Sequence, residues 1–596
     1  MKLSDYVAAF LARQGITHVF AISGGACLHL IDSIAKTDGI EYICPHHEQA
    51  GAMAADAYAR TTGRLGAAIS TSGPGATNMI TGICCAYYDS VPVLYITGQV
   101  ATFRLKRDTG VRQLGFQETD IVEMCRPITK HAVQLTDPRR IRHELEKAVH
   151  IATSGRPGPV LIDIPDNLQR EEIDVDSLEG FTVPTPAPAA ATDLRDAARQ
   201  TLELIRNAAR PVLIYGWGIR LARGDAEALA FLERSGLPVV PTWGAVDLVP
   251  SHVPNFVGTF GLHGTRYGNF AVQNADCIVA IGTRLDTHET GTPLSSFGRE
   301  AKKVVVDIDP AELAKFPGFG LTIDLPVEAD AKRFLAALLR ELDDTGLPDI
   351  APWRERIRHW REQFSICPPA NYARDCVDPY VFIKTLSQAL GTDATVAIDT
   401  GCAVAWFMQA FESKPGQRVF SALNNTPMGY ALPAAIGASL ALGGRPVVCL
   451  IGDGGLMMNI QELATIMHHQ LPVKVIVLNN NGYSMIQQTQ DQWLGSRYHA
   501  SSGVGGLSFP DFVKVADAHR MAAERVEKNA GVAAAVERAL AHPGPFLCDV
   551  TIDPAERVIP QVTFGRPIED AGPLLNREVF LQNMLVKPTD ASLEGG

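Results

Sequence analysis

Short apolar runs rich in β-branched residues recur along the chain and alternate with stretches whose apolar positions return at helical spacing. The runs read LGAAIST (65–71), VPVLYIT (91–97), RPVLIYG (210–216), DCIVAIG (276–282), KKVVVDID (302–309), RPVVCLIG (445–452) and VKVIVLN (473–479). Continuous apolar runs, as opposed to alternating ones, belong to strands buried on both faces, so the pattern predicts parallel sheets with helices on either side. Two linker-like segments interrupt it: the Pro/Ala-rich Val183 to Asp193, and Glu341 to Trp353, rich in Asp, Gly and Pro. The expected fold is α/β, three doubly wound parallel-sheet domains, at residues 1–182, 193–345 and 370–560. The irregular but apolar tail, 561–596, is expected to pack on the body.

Length and composition narrow the picture. A chain of 596 residues exceeds any usual single domain, and no apolar run approaches the roughly 18–20 residues needed to cross a bilayer. The first twenty residues carry Asp5 and helix-period alternation, unlike a secretory signal. The eleven cysteines are scattered without a C-x-x-C pair, which predicts reduced thiols and a cytoplasmic protein, with neither a disulfide framework nor a zinc site. A formal charge of −12 with no dense Lys/Arg block predicts no nucleic-acid surface, and no membrane contact is expected.

In doubly wound folds ligands sit beyond the carboxyl ends of the strands, where this chain places TSGPGATN (71–78), TGQV (97–100), GTRLDTHETG (282–291), IGDGG (451–455) and LNNNG (478–482). Asp453 and Asn480 are predicted on neighbouring strand ends. A carboxylate, an amide oxygen and a backbone carbonyl make half of the oxygen shell that Mg²⁺ prefers, leaving positions for water and phosphates, and a helix N-terminus adds amide donors for the same phosphates. A Gly-Asp-Gly triplet alone is also an ordinary strand-to-helix turn; the pairing with Asn-Asn twenty-seven positions on is what narrows the reading.

With that spacing the sequence resembles the thiamine diphosphate-dependent enzyme family. HEQAGAMAADAYAR (47–60), TSGPGATN, TGQV, GFQETDIV (115–122), ATSGRPGPVLIDIP (152–165) and PMGYALPAAIGA (427–438) stand in the order of its acetolactate synthase-like branch, over nearly the whole chain. The resemblance implies Mg²⁺ on Asp453, Asn480 and the Gly482 carbonyl. It implies Glu48 as the carboxyl that protonates the aminopyrimidine ring, its pKa raised by the small-residue helix that follows, and Met428 as the residue that holds the cofactor bent, although alone Met428 reads as core. By the same carry-over, Gly25, Ser72, Pro74, Asn78, Thr426, Gly452, Gly454, Gly455 and Met485 would contact the cofactor. Gln117 and His29 would stand near the chemistry, a structural role for His29 remaining open. A central FAD site would use Arg284 and Asp309.

The implied activity is carboligation: a 2-oxo acid, pyruvate in the first instance, loses CO₂ and its acyl unit passes to a second carbonyl compound. Acetolactate synthase proper is the alternative within the branch, and a decarboxylase, hydrolase or oxidase the alternative outside it. The cofactor would lie across a subunit interface in a homodimer or dimer of dimers. Two positions depart from acetolactate synthases: His288 stands where they carry an arginine for the acceptor carboxylate, and Thr489 where they carry a tryptophan. SGGACLHL (23–30) and the pair His46, His47 are closer to a subgroup acting on ketones or ketosugars.

Overall fold

The computed structural model describes residues 1–184, 194–342, 347 and 349–593. Most of the first predicted linker, and 343–346 and 348 of the second, lie outside the described residues. Three parallel sheets carry the architecture. The first holds β1 (His18–Ala21), β2 (Glu41–Ile43), β3 (Gly66–Ser70), β4 (Val93–Gln99), β5 (His131–Gln134) and β6 (Val160–Pro165) in the order β2-β1-β3-β4-β6-β5. The second holds β7 (Pro211–Tyr215), β8 (Val239–Pro241), β9 (Cys277–Ile281), β10 (Lys302–Asp307) and β11 (Leu325–Glu328) in the order β11-β10-β9-β7-β8. The third repeats the pattern of the first with β12 (Thr395–Ile398), β13 (Arg418–Phe420), β14 (Val447–Gly452), β15 (Val473–Asn479), β16 (Ala522–Val526) and β17 (Phe546–Thr551), ordered β13-β12-β14-β15-β17-β16.

Strand order reverses between β1 and β3, between β7 and β9, and between β12 and β14. A crevice opens at such a reversal because the two flanking connections leave on opposite faces. The predicted functional segments fall at these three points, since TSGPGATN follows β3, GTRLDTHETG follows β9 and IGDGG closes β14.

The first and third sheets share one hydrophobic core, built largely from helices Glu48–Thr62 and Ala431–Ala441. Both are rich in alanine and glycine, and that is what lets them touch: a Cβ on Gly437 would stand 2.1 Å from the Ala54 carbonyl oxygen. Beside this contact lies a buried ionic knot. Arg60 pairs with Asp56 at 2.7 Å and Asp89 at 2.8 Å, and the Tyr430 hydroxyl donates to Asp56 at 2.5 Å. Asp89 in turn accepts from the backbone N–H groups of Leu423 (2.9 Å) and Asn424 (3.1 Å), fixing the segment that leads to Met428. The tail packs on the middle sheet, with Val562, Ile568, Ala571 and Phe580 in that sheet's core and Trp360 Nε1 donating to Asn583 at 2.7 Å. No helix among the described residues is long and apolar enough to cross a membrane.

Candidate active site

The end of β14 delivers Asp453 and the end of β15 delivers Asn480, side by side because the two strands pair in register from Val447 with Val473 to Gly452 with Leu478. The Asn480 amide oxygen stands 2.7 Å from the Gly482 carbonyl oxygen and 3.1 Å from Asp453 Oδ2, while the amide nitrogen faces Ser484 Oγ. Three oxygen acceptors at such spacing repel one another unless a cation lies among them; with the amide reversed, its N–H groups would satisfy the other two oxygens instead. Burial pushes the Asp453 carboxyl up to about 6, against backbone N–H donors led by Gly454 that pull it down. A divalent cation restores the charged form, so the donor set fits Mg²⁺.

Gly454 is required by what surrounds it: a Cβ there would meet Tyr483 Cε1 at 2.3 Å and Met428 Cε at 2.9 Å. Met428 therefore stands directly over the turn that carries the metal ligands. It is held there by a residue that the sequence reading missed, Asp399, which directly follows β12 and is pushed up to about 7 by burial. Its oxygens accept from Gly429 N–H at 2.9 and 3.1 Å and from Thr400 N–H at 2.7 Å. An acidic residue directly after an apolar strand was the available signal, as at Asp453.

Glu48 opens helix Glu48–Thr62, where His47 Nδ1 caps the turn by accepting from Gln49 N–H at 3.0 Å. Its carboxylate is half-buried and accepts from Asn78 Nδ2 at 2.9 Å, which joins the predicted catalytic carboxyl to a predicted cofactor residue. Ser72 is buried at the end of β3, and Pro74 starts the short turn Pro74–Asn78. Gly25 and Gln117 are exposed, Gln117 with φ +65°, and His29 is half-buried near the start of helix Leu28–Ala35.

A cavity of about 530 Å³ runs between the first, second and third sheets. Thr426, Met485, Arg284 and His288 line it, as do Gly218 and Gly282 at the β7/β9 reversal. Glu48, Asp453 and Asp309 do not. The structure thus separates Asp309 from the cavity: its side chain caps the next helix at Ala311 N–H and pairs with Arg156 at 3.0 Å, and it is Asp307, at the end of β10, that reaches the cavity wall. Thr489 also lies off the cavity, one helical turn past Met485, whose carbonyl its hydroxyl contacts at 3.2 Å.

Three family profiles match the chain in succession: the N-terminal TPP binding domain of thiamine pyrophosphate enzymes over residues 1–124, their central domain over 198–338, and their C-terminal TPP binding domain over 399–550. The acetolactate synthase large subunit of Parasynechococcus marenigrum is 37% identical over 562 residues, 93% of this chain and 88% of that protein. The probable large subunit of Methanocaldococcus jannaschii is 35% identical over 576 residues (95% and 94%), and chloroplastic acetolactate synthase 1 of rice 36% over 580 (96% and 87%). The chain belongs to the thiamine diphosphate-dependent enzymes, in their acetolactate synthase-like branch.

In this thiamine diphosphate enzyme the large cavity also meets the requirements of a dinucleotide such as FAD. Arg156 and Arg284 supply cations for a pyrophosphate, Gly218 and Gly282 pack backbone against backbone at the β7/β9 reversal, where a Cβ on Gly218 would stand 2.7 Å from Gly282 Cα, and the carboxylate of Asp307 at the end of β10 suits ribose hydroxyls. Asp307 is pushed above the usual carboxylate range by burial. Trp243, His263, His288 and Glu289 also line this cavity, as do Thr400, Gly401 and Met485 of the third domain. The Trp243 and His288 rings meet edge-on with centroids 4.4 Å apart, and burial lowers the pKa of both histidines, His263 to about 3.

Proposed function

We propose that this carboligase decarboxylates a 2-oxo acid, pyruvate first, and transfers the acyl unit to a neutral carbonyl acceptor. The observation that carries the acceptor clause is His288: half-buried, its pKa lowered by desolvation, and bonded to His263 at 3.2 Å, it has no charge for a carboxylate at neutral pH. Arg284, paired with Asp286 at 3.0 Å, would be taken by FAD rather than by the acceptor. A fixed arginine holds a carboxylate through two charge-assisted bonds, and a neutral imidazole offers at most one donor.

When bound, thiamine diphosphate supplies the carbon nucleophile that adds to the 2-oxo acid and holds the acyl unit once CO₂ leaves. Around it, Asp453, Asn480 and the Gly482 carbonyl would hold Mg²⁺ and through it the diphosphate, with Gly452, whose missing Cβ leaves open space, giving the backbone approach and Gly454 and Gly455 letting Tyr483, Met428 and Asp399 close on the turn beneath the cofactor. Met428, pinned through Gly429 by Asp399, would support the bend, beside Thr426 and Met485. Glu48, oriented by Asn78, would pass a proton to the aminopyrimidine ring, with Gly25, Ser72, Pro74 and Gln117 around that ring and His29 nearby. Arg284 would serve FAD, whose part here is structural because carboligation transfers no net electrons.

A second copy of the chain is part of the proposal. Neither Glu48 nor Asp453 lines the cavity between the sheets, and Phe116 and Leu114, close to Gln117, are strongly exposed, as expected of surface covered by a partner subunit. A cytoplasmic location accords with eleven cysteines all free of disulfides. Neither a nucleic acid nor a membrane enters the proposal, in keeping with the net charge of −12. The deciding experiment is mass spectrometry of products from pyruvate with a panel of ketone, aldehyde and sugar acceptors. Identity near 36% to acetolactate synthases favours a second reading, acetolactate formation, which the pyruvate-only reaction in the same panel reports.

A further inference from the structure

A chain of hydrogen bonds leads from His288 out of the cavity to two glutamine amides, and their orientation sets its direction. Gln492 Nε2 donates to Gln561 Oε1 at 3.3 Å, and Gln561 Nε2 donates to His263 Nε2 at 3.0 Å, which makes that ring nitrogen an acceptor. His263 then carries its proton on Nδ1 and donates it to His288 Nε2 at 3.2 Å. With Nε2 occupied as an acceptor, neutral His288 must hold its own proton on Nδ1, where no partner stands among the described residues.

The next residue adds a second donor. Glu289 receives the Thr283 hydroxyl on Oε2 at 2.6 Å, and its Oε1 has no partner among the described residues. Burial pushes this carboxyl up to about 8, helped by Asp286 and opposed by Thr283, Arg284 and Lys315, so it is protonated at neutral pH. Beside both, Trp243 Nε1 is a buried N–H without a protein partner among the described residues. Buried donors without partners cost free energy unless a ligand or water meets them.

We propose that His288 Nδ1–H and the Glu289 carboxyl O–H form an uncharged two-donor subsite for a hydroxylated ketone, with His263 and Gln561 as the positioning residues that hold His288 in its donating form. This rests on the carboligase reading above and names its substrate class: a neutral acceptor carrying hydroxyl oxygen next to its carbonyl. A plain alkyl ketone fills the same space and leaves one donor unmet, so the site discriminates through the unpaired group.

The test uses the holoenzyme with pyruvate as donor and two size-matched acceptors, hydroxyacetone and butanone, which differ by a hydroxyl for a methyl. The ratio of their kcat/KM values should favour hydroxyacetone in the native protein. Glu289→Leu should lower that ratio by about fivefold or more, the effect of one buried hydrogen bond, and Glu289→Gln, which keeps an N–H donor, should restore most of it. Gln561→Leu, remote from the ligand, should shift the ratio in the same direction as Glu289→Leu. An unchanged ratio in Glu289→Leu overturns the inference. So does flavin content falling in step with the ratio, for then the donors serve FAD. If native protein forms only acetolactate in the presence of either ketone, the neutral-acceptor reading itself fails and takes the subsite with it.

Discussion

Gly482 N–H donates to Asp453 Oδ2 at 3.1 Å, closing the end of β15 onto the end of β14. The bond ties together the two halves of a motif that are far apart in sequence and leaves the Gly482 carbonyl facing the same point as the Asn480 amide oxygen. One carboxylate oxygen is thereby oriented by backbone, and its position depends on the register of two strands more than on any side chain nearby.

Replacing Asp453 with Ala is expected to abolish Mg²⁺-dependent retention of thiamine diphosphate, since it removes the single anionic ligand from a site that must balance a diphosphate. The fold should persist, because burial already holds this carboxyl near 6 and its loss relieves that cost. Cofactor content after gel filtration checks the point; retention equal to the native protein would mean that these three oxygens do not form the metal site.

Glu48→Gln is expected to leave the cofactor bound and to slow exchange of its reactive C–H hydrogen for deuterium by about 10² or more, the usual contribution of a positioned acid or base. The amide can still accept from Asn78, so orientation survives and only proton transfer is lost. NMR-monitored exchange at the native rate would remove Glu48 from the mechanism.

Asp89→Ala leaves Arg60 buried with one of its two carboxylates gone and frees the backbone donors of Leu423 and Asn424. Breaking one side of a buried pair costs about 3–5 kcal/mol. Urea denaturation should show a loss of that size, with weakened thiamine diphosphate affinity because the freed segment leads to Met428. A change below about 1 kcal/mol would place the ionic knot outside the cooperative core.

These predictions show where sequence was informative. Asp453 and Asn480 could be placed because each follows a continuous apolar strand, and parallel pairing brings such ends together. The three sheets were legible in the same runs. Asp399 follows the short strand TVAI and lacked any partner motif, so its hold on Gly429 emerged only from packing. Asp309 shows the opposite failure: sequence order alone could not tell which of Asp307 and Asp309 turns toward the crevice, and the helix cap at Ala311 and Arg156 claim the second. Glu289 lay in a quoted segment, but its raised pKa comes first from burial, which only the folded packing creates, with neighbouring Asp286 adding to it.

Acceptor preference should depend on pH through Glu289. Burial raises this acid to about 8, so its proton is present below that value and lost as pH rises through it; Asp286 acts to raise it, Arg284 and Lys315 to lower it, and neighbouring His288 and His263 are neutral throughout. The hydroxyacetone-to-butanone ratio should therefore fall with a midpoint near 8, and Glu289→Gln should give a flat profile. A native profile that is flat across the same range would contradict the assigned protonation state.

The claim that the acceptor is uncharged is tested most directly by initial rates with pyruvate alone against pyruvate plus a neutral ketone, in the native protein and in His288→Arg. In the native protein the mixed product is expected to form at least as fast as acetolactate. His288→Arg should raise acetolactate formation relative to mixed product by about tenfold, the worth of roughly 1.4 kcal/mol from a restored charged pair. Acetolactate dominating both native reactions, with no increase in His288→Arg, would contradict the account and make the protein an acetolactate synthase despite its altered acceptor site.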